Sequence, residues 1–225
     1  MNDDTTPTEP FSPFEAFPWE DVGAHAPDAA PIAKRVEDII LGSMFLAIAA
    51  VPMIFIAIAL KLTNPNQSVF FSQWRHGIKG RRFKILKFRT MRVSEDGASV
   101  TQATKEDNRV TKLGKLLRKT SLDEFPQFIQ VVTGELSLVG PRPHAIAHDE
   151  YYRTRISGYI LRYVVKPGIT GWAQINGYRG PTETIDKMQK RIEHDLVYIR
   201  NWSVIEDIKI VFRTIFSSKT RQNAF

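Results

Sequence analysis

Between Ile39 and Leu60 run 22 residues without a charge, nearly all of them apolar. As a helix at 1.5 Å per residue such a run reaches about 33 Å, enough to cross a hydrocarbon core of roughly 30 Å. It reads as a membrane segment, and the rest of the chain has to be compatible with one. Pro52 sits inside it. A proline there removes a backbone hydrogen bond and disfavours helical geometry at Val51, leaving polar groups to be satisfied at membrane depth. Lys34 and Arg35 stand just before the run and basic sequence follows it, so both flanks prefer an anionic cytoplasmic surface. Two topologies fit the length. One is a plain crossing helix with the basic remainder inside; the other breaks at Val51-Pro52 and returns to its own side, which also accommodates the proline and both charged flanks.

The run divides the chain into three expected parts: an acidic tail over 1–33, the membrane segment over 34–63 and a cytosolic domain over 64–225. The tail carries Asp3, Asp4, Glu9, Glu15, Glu20, Asp21 and Asp28 with several prolines, the composition of a flexible segment. Its Phe11, Phe14, Phe17 and Trp19 are unusual for pure disorder and suit docking on a surface. No basic stretch precedes an early apolar run, so a cleaved leader is not expected. With no cysteine anywhere, disulfides, thiolate metal sites and cysteine nucleophiles are excluded. The net charge of +7 points to anionic company, whether nucleic acid, an acidic leaflet or phosphorylated substrates.

Beyond Leu62 the pattern is soluble, basic and mixed. Residues 69–72 and 83–88 read as β-prone pieces around a turn at His76-Gly77-Ile78-Lys79-Gly80, giving a hairpin. Val110, Leu113, Leu116 and Leu117 fall at helical spacing against Lys112, Lys115, Arg118 and Lys119, predicting an amphipathic helix over 109–119 whose basic face suits a membrane surface. Two more helices are predicted over 182–200 and 203–216, the second capped by Ser203. The expected fold class is α+β and predominantly helical.

The densest chemical signal is SLDEFPQF at 121–128. Ser121 and Glu124 match a capping box, which would put Asp123 and Glu124 in the first turn of the helix that follows. Acids at that end are stabilised by the helix dipole whatever else they do, so two capping acids with no further task is one reading. The other is chemical. Adjacent carboxylates suit Mg²⁺, which takes one or two carboxylates plus substrate phosphates, while one oxygen is left to attack phosphorus. Lys87 and Arg89 in KFRTM, Arg118, and Arg142 in the proline-stiffened GPRP turn (Gly140, Pro141, Arg142, Pro143) supply cations nearby in sequence. Arginine forks match phosphate oxygens, and charge developing on phosphorus needs such donors held in place. KPGITGWAQINGYRG at 166–180 reads as a tight loop ending in Arg179, with Trp172 and Tyr178 available to stack on a base or sugar or to rest at an interface.

The strings KFRTM (87–91), TKLGKLLRKTSLDEFPQ (111–127), GELSLVGPRP (134–143), KPGITGWAQINGYRG (166–180) and DLVYIRNWSVIEDIKIVFRTI (195–215) occur in an order and spacing that resembles the bacterial sugar transferases, the monotopic phosphoglycosyl transferases. The resemblance implies transfer of hexose 1-phosphate, glucose before galactose, from a UDP-sugar to undecaprenyl phosphate with release of UMP, at the start of exopolysaccharide or capsule assembly. It implies Asp123 as nucleophile through a covalent phosphosugar intermediate. Glu124 would complete the dyad, helping to bind Mg²⁺ and to deprotonate or position the lipid phosphate. Lys87, Arg89, Arg118, Arg142 and Arg179 would bind phosphate, with Gly140, Pro141 and Pro143 shaping their turn. It further implies a re-entrant helix broken at Pro52, although Val51 stands where members often carry Ser. The expected location is the cytoplasmic face of a bacterial inner membrane, with membrane lipids as company, no nucleic acid, and room for a homodimer.

Overall fold

The computed structural model describes residues 30–92, 107–180 and 184–216. The acidic tail with its aromatic residues, and Thr182 as the start of a helix, therefore lie outside the described residues. Helix α1 runs over Ala30–Thr63 as a single helix with Pro52 inside it, so the break expected at Val51-Pro52 does not appear in its secondary structure. At 34 residues it is about 51 Å long, more than a bilayer core requires. Its most apolar window has a mean hydropathy of 2.6 and is only 17% buried, so Ile40, Ile48, Val51, Ile54 and Phe55 present oil to the surroundings. A soluble core helix would not.

Strands β1 (Phe70–His76) and β2 (Arg82–Phe88) form the expected antiparallel hairpin, with Phe70 opposite Phe88 and His76 opposite Arg82. The amphipathic helix α2 covers Lys112–Thr120, later than predicted because Val110 is drawn into a bridge with Met91 and Thr111 becomes the cap. Gly114 lets it sit so close: a Cβ there would lie 2.0 Å from the Thr90 carbonyl oxygen. A 3-10 turn at Leu122–Glu124 leads into α3 (Gln127–Thr133), and β3 (Ser137–Val139) follows. Helix α4 (Ile146–Arg153), a 3-10 stretch (Tyr159–Val164), β4 (Gly168–Thr170) and the short α5 (Trp172–Ile175) come next. Two helices close the described chain: α6 (Ile185–Arg200), capped by Thr184, and α7 (Val204–Phe216). Ser203 caps α7 as predicted, its hydroxyl accepting from the Glu206 N–H at 3.2 Å.

Among the described residues the fold is predominantly helical with two small two-stranded sheets. The central core joins Ile85 of β2, Val131 of α3, Leu136, Leu138 and Val139 around β3, Tyr198 of α6 and Ile210 of α7. Sequence patterning did not anticipate β3 and β4, three residues each, which pair in parallel (Ser137 with Gly168, Val139 with Thr170). At opposite ends, α1 is fastened to this body. Near its start Lys34 pairs with Asp207 of α7 at 2.5 Å, and Arg35 donates to the Val131 and Val132 carbonyls at 2.8 and 2.6 Å. Asp38 accepts from the Ser137 hydroxyl and the Leu138 N–H, both at 2.9 Å. Near its end Leu60 packs on Phe88 and Leu117.

Candidate active site

Pro126 explains the conformation of the central carboxylates. Lacking an N–H, it cannot continue a helical ladder back to Leu122; instead the Phe125 N–H takes the Leu122 carbonyl at 3.3 Å and the chain tightens into a 3-10 turn. Ser121 enters this turn with φ +59°, a left-handed conformation uncommon outside glycine and asparagine. The capping box expected between Ser121 and Glu124 does not form. Ser121 terminates α2, and its hydroxyl accepts from Arg179 at 2.8 Å. Asp123 and Glu124 thus precede α3 instead of occupying its first turn, and both are 7% exposed.

Their environments differ sharply. Glu124 Oε1 receives Lys87 at 2.7 Å and Arg142 at 2.5 Å. Glu124 Oε2 faces Arg142 at 3.4 Å and Arg179 at 4.0 Å. Burial pushes the Glu124 pKa up, but Arg142 and Lys87 outweigh it and hold the carboxyl well below its usual range. Asp123 accepts no hydrogen bond among the described residues. Burial raises its pKa, Lys87 opposes, and the Glu124 charge adds to the rise. Two neighbouring carboxyls whose pKa values are driven apart in this way suit different tasks.

Four of the five expected cations converge here from separate elements. β2 delivers Lys87 and the turn after β3 delivers Arg142. Arg179 arrives from beyond α5, while Arg118 on α2 lies within electrostatic reach of Asp123 and donates to the Thr90 hydroxyl at 2.9 Å. Arg89 is placed elsewhere. Its guanidinium donates to the Ser68 and Leu60 carbonyls at 2.8 and 3.0 Å, at the end of α1. Trp172 likewise opens α5 and packs on the central core with Arg213 over its ring at 5.7 Å, and Tyr178 lies 4.6 Å from the His194 ring.

The GPRP turn is held by backbone approach. A Cβ on Gly140 would come within 2.6 Å of the Lys166 carbonyl oxygen, and one on Gly168 within 2.1 Å of the Gly140 nitrogen. This seam lets the Gly140 N–H reach Thr170 and the Gly168 N–H reach the Pro141 carbonyl, at 2.8 and 2.9 Å. Behind the turn lies a buried polar network that spacing gave no sign of. Asp149 accepts from Tyr159 at 2.6 Å and faces His76 at 2.9 Å, and Arg162 pairs with Asp195 at 2.9 Å.

Two carboxyls of unequal acidity, one gripped by cations and one uncommitted, form a site able to bind a polyanion and offer it a nucleophilic oxygen. No three metal-ligating side chains gather among the described residues. The ring of guanidinium groups is what phosphate recognition by forked donors requires.

Comparison with known proteins bears on this arrangement. The profile of the family described as bacterial sugar transferase matches residues 29–221. The UDP-glucose:undecaprenyl-phosphate glucose-1-phosphate transferase of Escherichia coli (strain K12) is 56% identical over 194 residues, 86% of this chain and 42% of that protein. The enzyme of the same name from Caulobacter vibrioides is 47% identical over 197 residues, 88% of this chain and 73% of that protein. The exopolysaccharide production protein PSS of Rhizobium leguminosarum bv. phaseoli is 39% identical over 198 residues, 86% of this chain and 98% of that protein. Against the first of these, the chain spans less than half of its relative's length.

Proposed function

Because the chain belongs to the bacterial sugar transferase family, we propose that it moves glucose 1-phosphate from UDP-glucose to undecaprenyl phosphate, releasing UMP, as a membrane step of exopolysaccharide assembly. The substrates follow those named for its relatives. The observation that carries the mechanism is the division of labour in the dyad: Glu124 is held by Lys87 and Arg142, with Arg179 at the edge, while among the described residues no donor meets the Asp123 carboxylate.

An Asp123 oxygen attacks the sugar-bearing phosphorus. The bond to that phosphorus forms as the bond to UMP breaks, and UMP leaves with the electron pair. An oxygen of the lipid phosphate then attacks the same phosphorus and Asp123 departs as a carboxylate. Arg142, Lys87, Arg118 and Arg179 stabilise the charge that accumulates on the phosphoryl oxygens. Glu124, its oxygens met by Lys87 and Arg142, gathers these cations and aims them. Mg²⁺ fits Asp123 together with donor phosphates, since this ion commonly takes only one or two protein carboxylates. Glu124 fits it less well because its oxygens already face cations. When bound, the ion would neutralise phosphate charge.

The same body holds both ends of α1, through Lys34 and Arg35 at one and Leu60 with Arg89 at the other. This supports a segment that enters the cytoplasmic leaflet and returns, since a helix crossing the bilayer would carry its two ends to opposite faces. The test mixes purified protein, Mg²⁺, undecaprenyl phosphate and a panel of UDP-sugars and measures UMP. UDP-glucose is expected to be consumed, and Asp123→Asn to abolish turnover and the hexose-phosphate adduct detected by mass spectrometry. Turnover by the Asn variant overturns the nucleophile assignment.

A further inference from the structure

Pro141 and Pro143 flank Arg142 and neither has an N–H to donate, so the turn that carries this cation must be held largely by donors that come to its carbonyls. The Pro141 carbonyl is met by the Gly168 N–H at 2.9 Å. The Arg142 carbonyl is met by a side chain: Arg162 Nη2 donates to it at 2.6 Å and to Asp195 at 2.9 Å. Nη1 of the same guanidinium lies 2.7 Å from His144 Nδ1. Arg162 is 2% exposed, and Asp195 of α6 is equally buried at 2%. A charged fork this deep is costly unless it is paired, and Asp195 pairs it.

One helical turn before Asp195, Arg191 repeats the pattern. It is 5% exposed, donates to the Gly180 carbonyl at 2.5 Å, one residue from Arg179, and faces His144 Nε2 at 3.2 Å. Each of two cations that face Glu124 thus has a carbonyl at, or next to, its own residue held by a buried arginine, and His144 lies between those two arginines.

We propose that Arg162 is a positioning residue that fixes Arg142 through its backbone carbonyl, with Asp195 as its counter-ion. The proposal deepens the transferase reading and rests on it for its catalytic arm. Arg162 pairs with Asp195 and the Arg142 carbonyl, not with either carboxyl of the dyad; it acts by determining where the Arg142 guanidinium stands. Burial and the Arg162 charge hold the His144 pKa well below its usual value, so the neutral ring accepts from only one of the two arginines.

The substitution to use is Arg162→Lys, which keeps a positive charge beside Asp195 but replaces a fork that reaches three partners with a single ammonium. Should it fail to fold by its melting transition, the paired variant Arg162→Met with Asp195→Asn removes the charges together and takes its place. Two readouts are needed. Without any substrate, hydrogen exchange of the peptide spanning 140–146 is expected to rise several-fold over wild type, while a peptide in α7 stays unchanged. Unchanged exchange at 140–146 overturns the proposal whether or not the protein turns over UDP-sugars.

In the UMP-release assay, Arg162→Lys is expected to lower kcat/KM by about 10- to 100-fold, the scale of a small misplacement of a reacting group. The loss should shrink below about 2-fold when Arg142 is already Met, because a residue acting through Arg142 has nothing left to position. Equal losses in both backgrounds overturn the proposal and leave Arg162 a general packing residue. Absence of UMP release in wild type instead defeats the transferase reading and leaves the exchange result to decide this one.

Discussion

Asp123 and Glu124 are neighbours with the same small exposure, yet their proton affinities are moved in opposite directions by what surrounds them. The consequence for stability can be worked out by sign. Asp123 has a folded pKa above its unfolded value, so folding is penalised above that folded pKa, where the carboxyl is charged in both states. Asp123→Asn is therefore expected to raise the melting temperature at neutral pH, with the gain shrinking as pH falls through the folded pKa. Glu124 has a folded pKa below its unfolded value; its stabilisation is present above the unfolded pKa and lost as pH falls through the folded one. Glu124→Gln should lower stability at neutral pH by about 1–3 kcal/mol, since it leaves partly buried cations without their carboxylate, and cost little in strong acid. Melting curves collected across pH for both variants check the pair of signs. The sequence announced both carboxyls and most of their cations because the residue types cluster in short strings. It could not announce which acid would be free, since that depends on Lys87, Arg142 and Arg179, which come from three distant segments. Arg89 sits two residues from Lys87 and looked equivalent to it; their separation is a matter of where β2 ends and the chain turns toward α1.

At the scale of elements, the decisive contact is the seam between the GPRP turn and β4, where backbone meets backbone without a side chain between. Glycines at 140 and 168 make the parallel pairing of two three-residue strands possible, and that pairing fixes the height of Arg142. Gly168→Ala is expected to destabilise the protein by about 1–3 kcal/mol, as overpacking does, and to reduce UMP release by more than the melting shift accounts for. Urea unfolding alongside the assay separates the two. Strands this short escape pattern reading, because three residues show no alternation, whereas the hairpin β1–β2 and the helices α2 and α7 are long enough to display their periods. The capping-box expectation failed for a related reason: Pro126 outranks the local Ser-Glu signal and forces the tighter turn.

For the whole molecule, exposed apolar surface is concentrated on α1 and on α7, where Ile205, Ile208, Phe212 and Phe216 are exposed. The sequence made the apolar run plain; which body its two ends would attach to was invisible, since Lys34 and Asp207 are separated by most of the chain. Labels near Thr8 and Thr220 are expected to be protected together in intact cells and to react together after lysis. Reaction of the first alone in intact cells would establish a true crossing. A membrane anchor stitched to its cargo at both ends cannot rock independently of it. Whatever depth the acyl chains impose on α1 is passed on to the height of Asp123 above the headgroups, so bilayer thickness becomes a variable of the chemistry. Turnover in vesicles of graded chain length should accordingly pass through an optimum and fall away on either side.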